Sequence, residues 1–136
     1  MAENTLRISR YCLEMKMNKV AYIASPYSHE LPRMEQERHD RVADYVGFLH
    51  RHANVIPISP IVCSHYLARS QRLPTDAAYW REINHWLIDK CDIMIVLKLD
   101  GWQKSAGVQD EIEYAESQGK PVFYQSKCNI LWFTEF

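Results

Sequence analysis

Ser105, Gly107 and Glu111 fall within one short stretch, SAGVQDEIEYA (residues 105–115), whose residue types and spacing could hold an anion and aim a carboxylate at an electrophilic carbon. At about 100° per residue, Val108, Ile112 and Ala115 form one apolar stripe of a helix, and Glu111 lies on that stripe. Asp110, Glu113 and Glu116 point elsewhere and read as a solvated face. A carboxylate on an inward-looking face is costly unless it meets a partner, a ligand or water. Ser105, Ala106 and Gly107 lead straight into the helix. They offer a hydroxyl and unpaired N–H groups, the usual means of holding an anion at a helix N-terminus. A phosphate gripped there would fix a substrate while Glu111 meets its reactive carbon. The competing reading is a structural glutamate paired with a tyrosine or arginine, and S-x-G-x-x-x-E alone is short and common.

The same wheel finds two more intruders. Arg38 precedes Val42, Tyr45 and Leu49 on one stripe, and Asn84 falls among Trp80, Leu87 and Cys91 on another. Arg38 either lays its stem on the core with its head in solvent or binds phosphate. Asn84 either ties down neighbouring backbone or contacts a ligand. Trp80, Trp86 and Trp102 could stack on a planar base; spacing assigns Trp80 to the core and leaves Trp102, beside Ser105, as the better pocket wall. Cys63 and His65 could pair as thiol and base, but read more simply as a small buried thiol beside a loop histidine. His50 and His52 are badly spaced for one helix face and no Cys/His cluster resembles a zinc site, so neither metal nor cofactor is expected.

The elements that must position these residues alternate along the chain. Short β-type runs, KVAYIA, NVIPIS, DIMIVLKL and PVFY, are separated by helical patterns over 33–52, 60–70, 76–90 and 106–118. Gly119, Lys120 and Pro121 stop the last helix. Near-continuous apolar strands between helices predict an α/β fold. We expect a three-layer Rossmann-like (flavodoxin-like) domain with a parallel sheet of four or five strands. Ligands of such sheets lie beyond the carboxyl ends of the strands, which brings together SPYSH, SPIVCSH and DGWQKSAG. Residues 1–17 read as an N-terminal extension, loosely ordered or docked, ahead of a single domain over 18–136.

The 136 residues suit one folding unit with one continuous core. A net charge of -1 gives no basic field for a nucleic acid polymer, so any nucleotide partner should be a small molecule. Four scattered cysteines, no C-x-x-C pair and no secretory leader suggest a reduced, cytoplasmic setting. No apolar run approaches the roughly 20 residues of a membrane span. The apolar tail CNILWFTEF should pack on its own domain or across a homodimer or higher homo-oligomer interface, with Ser126 and Asn129 as contacts in trans.

Taken together, AYIASPY, CDIMIVL and GWQKSAGVQDEIEYAESQGKPVFY resemble the nucleoside 2-deoxyribosyltransferase-like superfamily over about residues 19 to 125. The likeness is greatest to a small uncharacterised branch with a G-W-x-x-S-x-G-V-x-x-E-I pattern, near the 2'-deoxynucleoside 5'-phosphate N-hydrolases. The resemblance implies that Glu111 is the catalytic glutamate attacking an anomeric carbon, and that Tyr22 orients it. It implies that Ser105 and Gly107 receive a 5'-phosphate, and that Ser25, Tyr27 and Ser28 surround the ligand. One position departs from the pattern. Where relatives often carry an aspartate eight residues before Asp92, this chain has Asn84, which cannot donate a proton as a carboxylic acid does.

The expected function is therefore an N-glycosidase that hydrolyses the base–sugar bond of a (deoxy)nucleoside 5'-monophosphate. The alternatives are a non-catalytic nucleotide-binding or sensing module, which Asn84 favours, and base exchange between deoxynucleosides, which needs a site without tight phosphate recognition.

Overall fold

Each apolar run becomes a strand because every second residue has a helix to pack on. In the computed structural model, Ile8 and residues 19–127 are described. Four strands form one sheet: β1 (Lys19–Ala24), β2 (Val55–Ile58), β3 (Ile93–Lys98) and β4 (Val122–Ser126). All pairings are parallel and the order is β2-β1-β3-β4. Tyr22 lies opposite Ile58 on one side and Met94 on the other.

Ala21, Ile23, Ile93, Ile95 and Leu97 point to one face, where Val42, Tyr45, Phe48 and Leu49 of α1 (Pro32–His52) cover them. Ile8 is buried in the same layer. Tyr22, Ala24, Met94 and Val96 point to the other, against Ile88 of α3 (Ala77–Lys90) and Val108, Ile112 and Ala115 of α4 (Ala106–Ser117). The helix α2 (Pro60–Ser70) lies between β2 and α3 and packs on α1. The chain is thus an α/β protein with the three-layer, flavodoxin-like arrangement expected.

Helix starts follow local chemistry. Pro32 and Pro60 open α1 and α2, where a missing N–H costs nothing. Ser59 and Ser105 cap α2 and α4, their hydroxyls accepting from Val62 N (3.1 Å) and Val108 N (3.2 Å). At the other end of α4 the Gly119 and Lys120 amides close back on Glu116 and Ala115 (both 3.0 Å), the stop expected from sequence. No described helix is long and apolar enough to cross a membrane. The expectations for 1–17 other than Ile8, and for the tail 128–136 with Asn129, lie outside the described residues.

With β1 leading outward to β2 on one side and β3 on the other, the order of connection reverses between β1 and β3. A crevice opens at the carboxyl ends there, and the loops after β1, β2 and β3 surround it.

Candidate functional site

A cavity of about 510 Å³ occupies that crevice. Its wall draws on the β1 loop (Ser25, Tyr27, Ser28), the start of α2, the start of α3 and the start of α4. Glu111 lies in this wall, only 7% exposed, and accepts a hydrogen bond from the Tyr22 hydroxyl. Tyr22 comes from β1 and is fully buried, so the contact joins the central strand to the second turn of α4.

Burial is the largest influence on both groups. It lifts the Glu111 carboxyl to about 8, against the lowering effect of the Tyr22 hydrogen bond and with a small further push from Asp110. Burial and the adjacent Glu111 carry Tyr22 well above its ordinary value, so its hydroxyl stays protonated and donates. Asp110, beside Glu111, faces α3. Burial tends to raise it, but hydrogen bonds from His85 (2.6 Å) and Arg81 (3.0 Å) outweigh that and hold it below the ordinary carboxylate range.

Ser105 ends a 3₁₀ turn (Trp102–Lys104) and caps α4, so the Ala106 and Gly107 amides are first-turn donors with no partner inside the helix. At Gly107 α3 approaches closely. A Cβ on the glycine would stand 3.2 Å from the Ala77 Cβ. Two buried polar atoms have no hydrogen-bond partner among the described residues, Ser25 Oγ and Asn84 Oδ1, and both residues line the cavity. Buried polar atoms are rarely left so, and such groups suit a ligand's donors.

The family described as "Domain of unknown function (DUF1937)" matches residues 19–127, from the first residue of β1 to just past β4. The chain belongs to this family. No curated protein matches it. The DUF1937 match therefore covers every described element and every residue of the cavity, while its description assigns no chemistry.

Within this DUF1937 chain the structure brings together Glu111, Asn84, Ser25, Tyr27, Ser28, Arg38, Ser105 and Gly107 around one cavity, with Tyr22 behind Glu111. Arg38 and Ser28 are engaged with backbone carbonyls. Arg38 donates through Nη1 to the carbonyls of Ser28 (2.8 Å) and Tyr27 (3.2 Å) and through Nη2 to that of Asp100 (3.4 Å), tying the β1 and β3 loops together. Gly101 lets the guanidinium in: its φ of 89° is left-handed, and a Cβ would stand 3.3 Å from Arg38 Nη2. Ser28 Oγ donates to the Thr75 carbonyl (2.5 Å).

The tryptophans exchange the places expected of them. Trp102, expected as a pocket wall, is not in the cavity lining: it packs on the α3–α4 side of the sheet, with its ring centroid 5.8 Å from that of Tyr124. Trp80, assigned to the core by spacing, lines the cavity and donates through Nε1 to the Pro74 carbonyl (2.7 Å). The stripe containing Trp80 runs past the end of the sheet, so its first half faces the crevice and only its second half the core. Asp89 accepts from the Tyr114 hydroxyl (2.7 Å), and Asp92 accepts from Val20 N (2.8 Å) at the amino end of the sheet, so neither is in the cavity wall. Cys63 is exposed and His65 is fully buried, both on α2, which corrects the expected buried thiol beside a loop histidine. Among the described residues no group of three or more His, Cys, Asp or Glu is placed to hold a metal ion.

Proposed function

We propose that the chain is a nucleotide N-glycosidase, hydrolysing the bond between base and sugar in a (deoxy)nucleoside 5'-monophosphate. The observation that carries this reading is a buried carboxylate, oriented by a tyrosine, in the wall of a cavity that the N-terminus of α4 also lines. Cleaving an N-glycosidic bond develops positive charge at the anomeric carbon, which a carboxylate stabilises or attacks. The Tyr22 hydroxyl holds one oxygen of Glu111 and leaves the other for carbon.

In the first step Glu111 must be ionised. Its free oxygen bonds to the anomeric carbon while the glycosidic electron pair leaves with the base nitrogen, which takes its proton from water. In the second, water attacks the same carbon, the ester bond to Glu111 breaks, and the water's proton is released. The Ala106 and Gly107 amides and the Ser105 cap suit the 5'-phosphate, and holding that end lowers the barrier by orientation.

Asn84 favours a second reading, nucleotide binding without turnover. Its amide oxygen can accept a hydrogen bond from a base or sugar, but the side chain has no acidic proton to give a departing base. One experiment separates the two. The protein is incubated with ribo- and deoxyribonucleoside 5'-monophosphates and free base is measured by chromatography, with Glu111→Ala alongside. Release by the parent and not by the variant supports the glycosidase; tight binding with no release supports the sensor. A new nucleoside formed only when a second base is supplied indicates base exchange.

A further inference from the structure

Behind the cavity wall contributed by Tyr27 lies a hydrogen-bond network, running from the buried His65 out to the exposed Arg69 and Asp40, that fixes the direction of its hydroxyl. Tyr27 Oη is 2.6 Å from His65 Nδ1, and His65 Nε2 is 2.9 Å from Gln36 Oε1. The same Gln36 oxygen receives Arg69 Nη1 at 2.9 Å, and Gln36 Nε2 donates to Asp40 Oδ1 at 2.9 Å. A guanidinium only donates and an ionised carboxylate only accepts. The amide can therefore stand only this way round, since turning it over would set NH₂ against Arg69 and oxygen against the carboxylate.

With Gln36 presenting oxygen, His65 Nε2 must carry the hydrogen. A neutral imidazole then has a bare Nδ1, and the Tyr27 hydroxyl must donate to it. Burial first, then His39 and Arg69, hold His65 below its ordinary value, and burial raises Tyr27, which keeps both neutral. The imidazole is fully buried and stacks on His39 at 4.3 Å.

We propose that Tyr27 is a specificity-determining hydrogen-bond acceptor, its proton committed to His65 so that the cavity selects ligands presenting an O–H or N–H there, with His65 as the positioning residue. Resting on the nucleotide reading above, that donor is a hydroxyl of the sugar or an N–H of the base. Tyr27 lines the cavity and His65 does not. Removing the imidazole would free the phenolic proton to turn toward the ligand and erase the selection.

Two measurements on the full chain test this. The first is ¹⁵N NMR of the His65 ring, at neutral pH and through a titration. The neutral Nε2–H form is expected, and in Tyr27→Phe the ring should titrate at higher pH, because the lost hydrogen bond favoured the neutral form. The groups around the ring are Glu35, Gln36, His39 and Asp40 of α1 and Tyr66 and Arg69 of α2. An Nδ1–H form or an imidazolium at neutral pH would overturn the assignment, as would an unchanged titration in Tyr27→Phe.

The second is calorimetry with the ribo- and deoxyribonucleoside 5'-monophosphates on the Glu111→Gln background. Tyr27→Phe should weaken those that bind by about tenfold, the scale of one hydrogen bond. Unchanged affinity would overturn the selection by Tyr27. If no nucleotide binds the parent chain, the nucleotide reading and the ligand assignment fall together, while the His65 tautomer still decides the direction of the Tyr27 hydroxyl.

Discussion

Tyr22 of β1 donates its hydroxyl to the carboxylate of Glu111 on α4, and both side chains are removed from solvent at the point where the sheet's order of connection reverses. Neither residue is held there by charge pairing. No salt bridge is seen to Glu111 among the described residues, and its neighbour Asp110 takes the Arg81 and His85 side chains of α3 instead. A buried acid touched by one neutral donor is held mostly in its protonated form at neutral pH. That state has consequences for both activity and stability.

If Glu111 is the nucleophile, only its ionised form attacks. With the carboxyl lifted to about 8, base release should rise with pH and level off above about pH 8. Initial rates of base release from a monophosphate, taken from about pH 7 upward, where the phosphate is about nine-tenths doubly charged, test this. A rate that falls over the same interval assigns Glu111 the opposite role of proton donor, and a flat profile removes it from the chemistry.

The stability argument has a definite sign. A carboxyl raised from 4.5 to about 8 binds its proton more tightly in the folded state. The stability this contributes is complete below the unfolded value, declines as pH rises, and is lost through about 8. Glu111→Gln has no such charge to bury. Thermal melts should show the variant more stable than the parent by several degrees or more near pH 8–9, with the gap closing toward pH 5. A gap that grows on acidification would mean the carboxylate is stabilised in the fold.

Asn84 offers the most direct gain-of-function test. Its Oδ1 has no hydrogen-bond partner among the described residues and the residue lines the cavity; under the proposed glycosidase reading, an acid here would serve a departing base. If leaving-group protonation limits the rate, Asn84→Asp should speed base release by about 10²-fold, the lower end for general acid catalysis, most strongly on the acid side of the profile. No change in rate, with binding intact, would show that the base leaves without help from this position.

Sequence periodicity located the four strands and four α-helices of residues 19–127 to within a residue or two, because the central strands β1 and β3 are buried on both faces and the helices carry clear starts and stops at Pro32, Pro60, Ser105 and Gly119. It did not locate the 3₁₀ turn Trp102–Lys104. The site was legible wherever a polar group interrupted an apolar stripe, which is how Glu111, Arg38 and Asn84 stand out. What periodicity does not carry is where a stripe leaves the sheet. Trp80 and Asn84 lie on the same line as Cys91, yet the first two face the crevice and the last the core. Nor does it reveal partners distant in sequence, such as Gln36 and His65, 29 residues apart, that set the state of a pocket residue. Arg38 shows a further limit. Its placement was readable, but its use on the carbonyls of Tyr27, Ser28 and Asp100 depends on the left-handed turn at Gly101.

Gly107 joins helix geometry to ligand access. Replacing it with alanine gains helix propensity of up to about 1 kcal/mol, while the new methyl must push against Ala77, 3.2 Å away. These effects oppose each other, so the melting temperature of Gly107→Ala should stay within about 4 °C of the parent. The methyl stands in the cavity wall beside the donors of α4, and nucleotide affinity should fall by about tenfold or more. A variant that binds as the parent does would place the phosphate away from this turn.

Trp80 and Trp102 give an optical test of which indole meets the ligand. Trp80 lines the cavity and is fixed by its bond to the Pro74 carbonyl, so a nucleotide base stacking on it would quench its fluorescence. Trp102 packs near Tyr124 on the α3–α4 face of the sheet and should report nothing of binding. Titrating the parent, Trp80→Phe and Trp102→Phe with a nucleoside 5'-monophosphate should show quenching in the parent and in Trp102→Phe, and its loss in Trp80→Phe. Loss in Trp102→Phe alone would put the base on the other side of the Ser105 turn, and the phosphate could then no longer sit on the first turn of α4 with the anomeric carbon at Glu111.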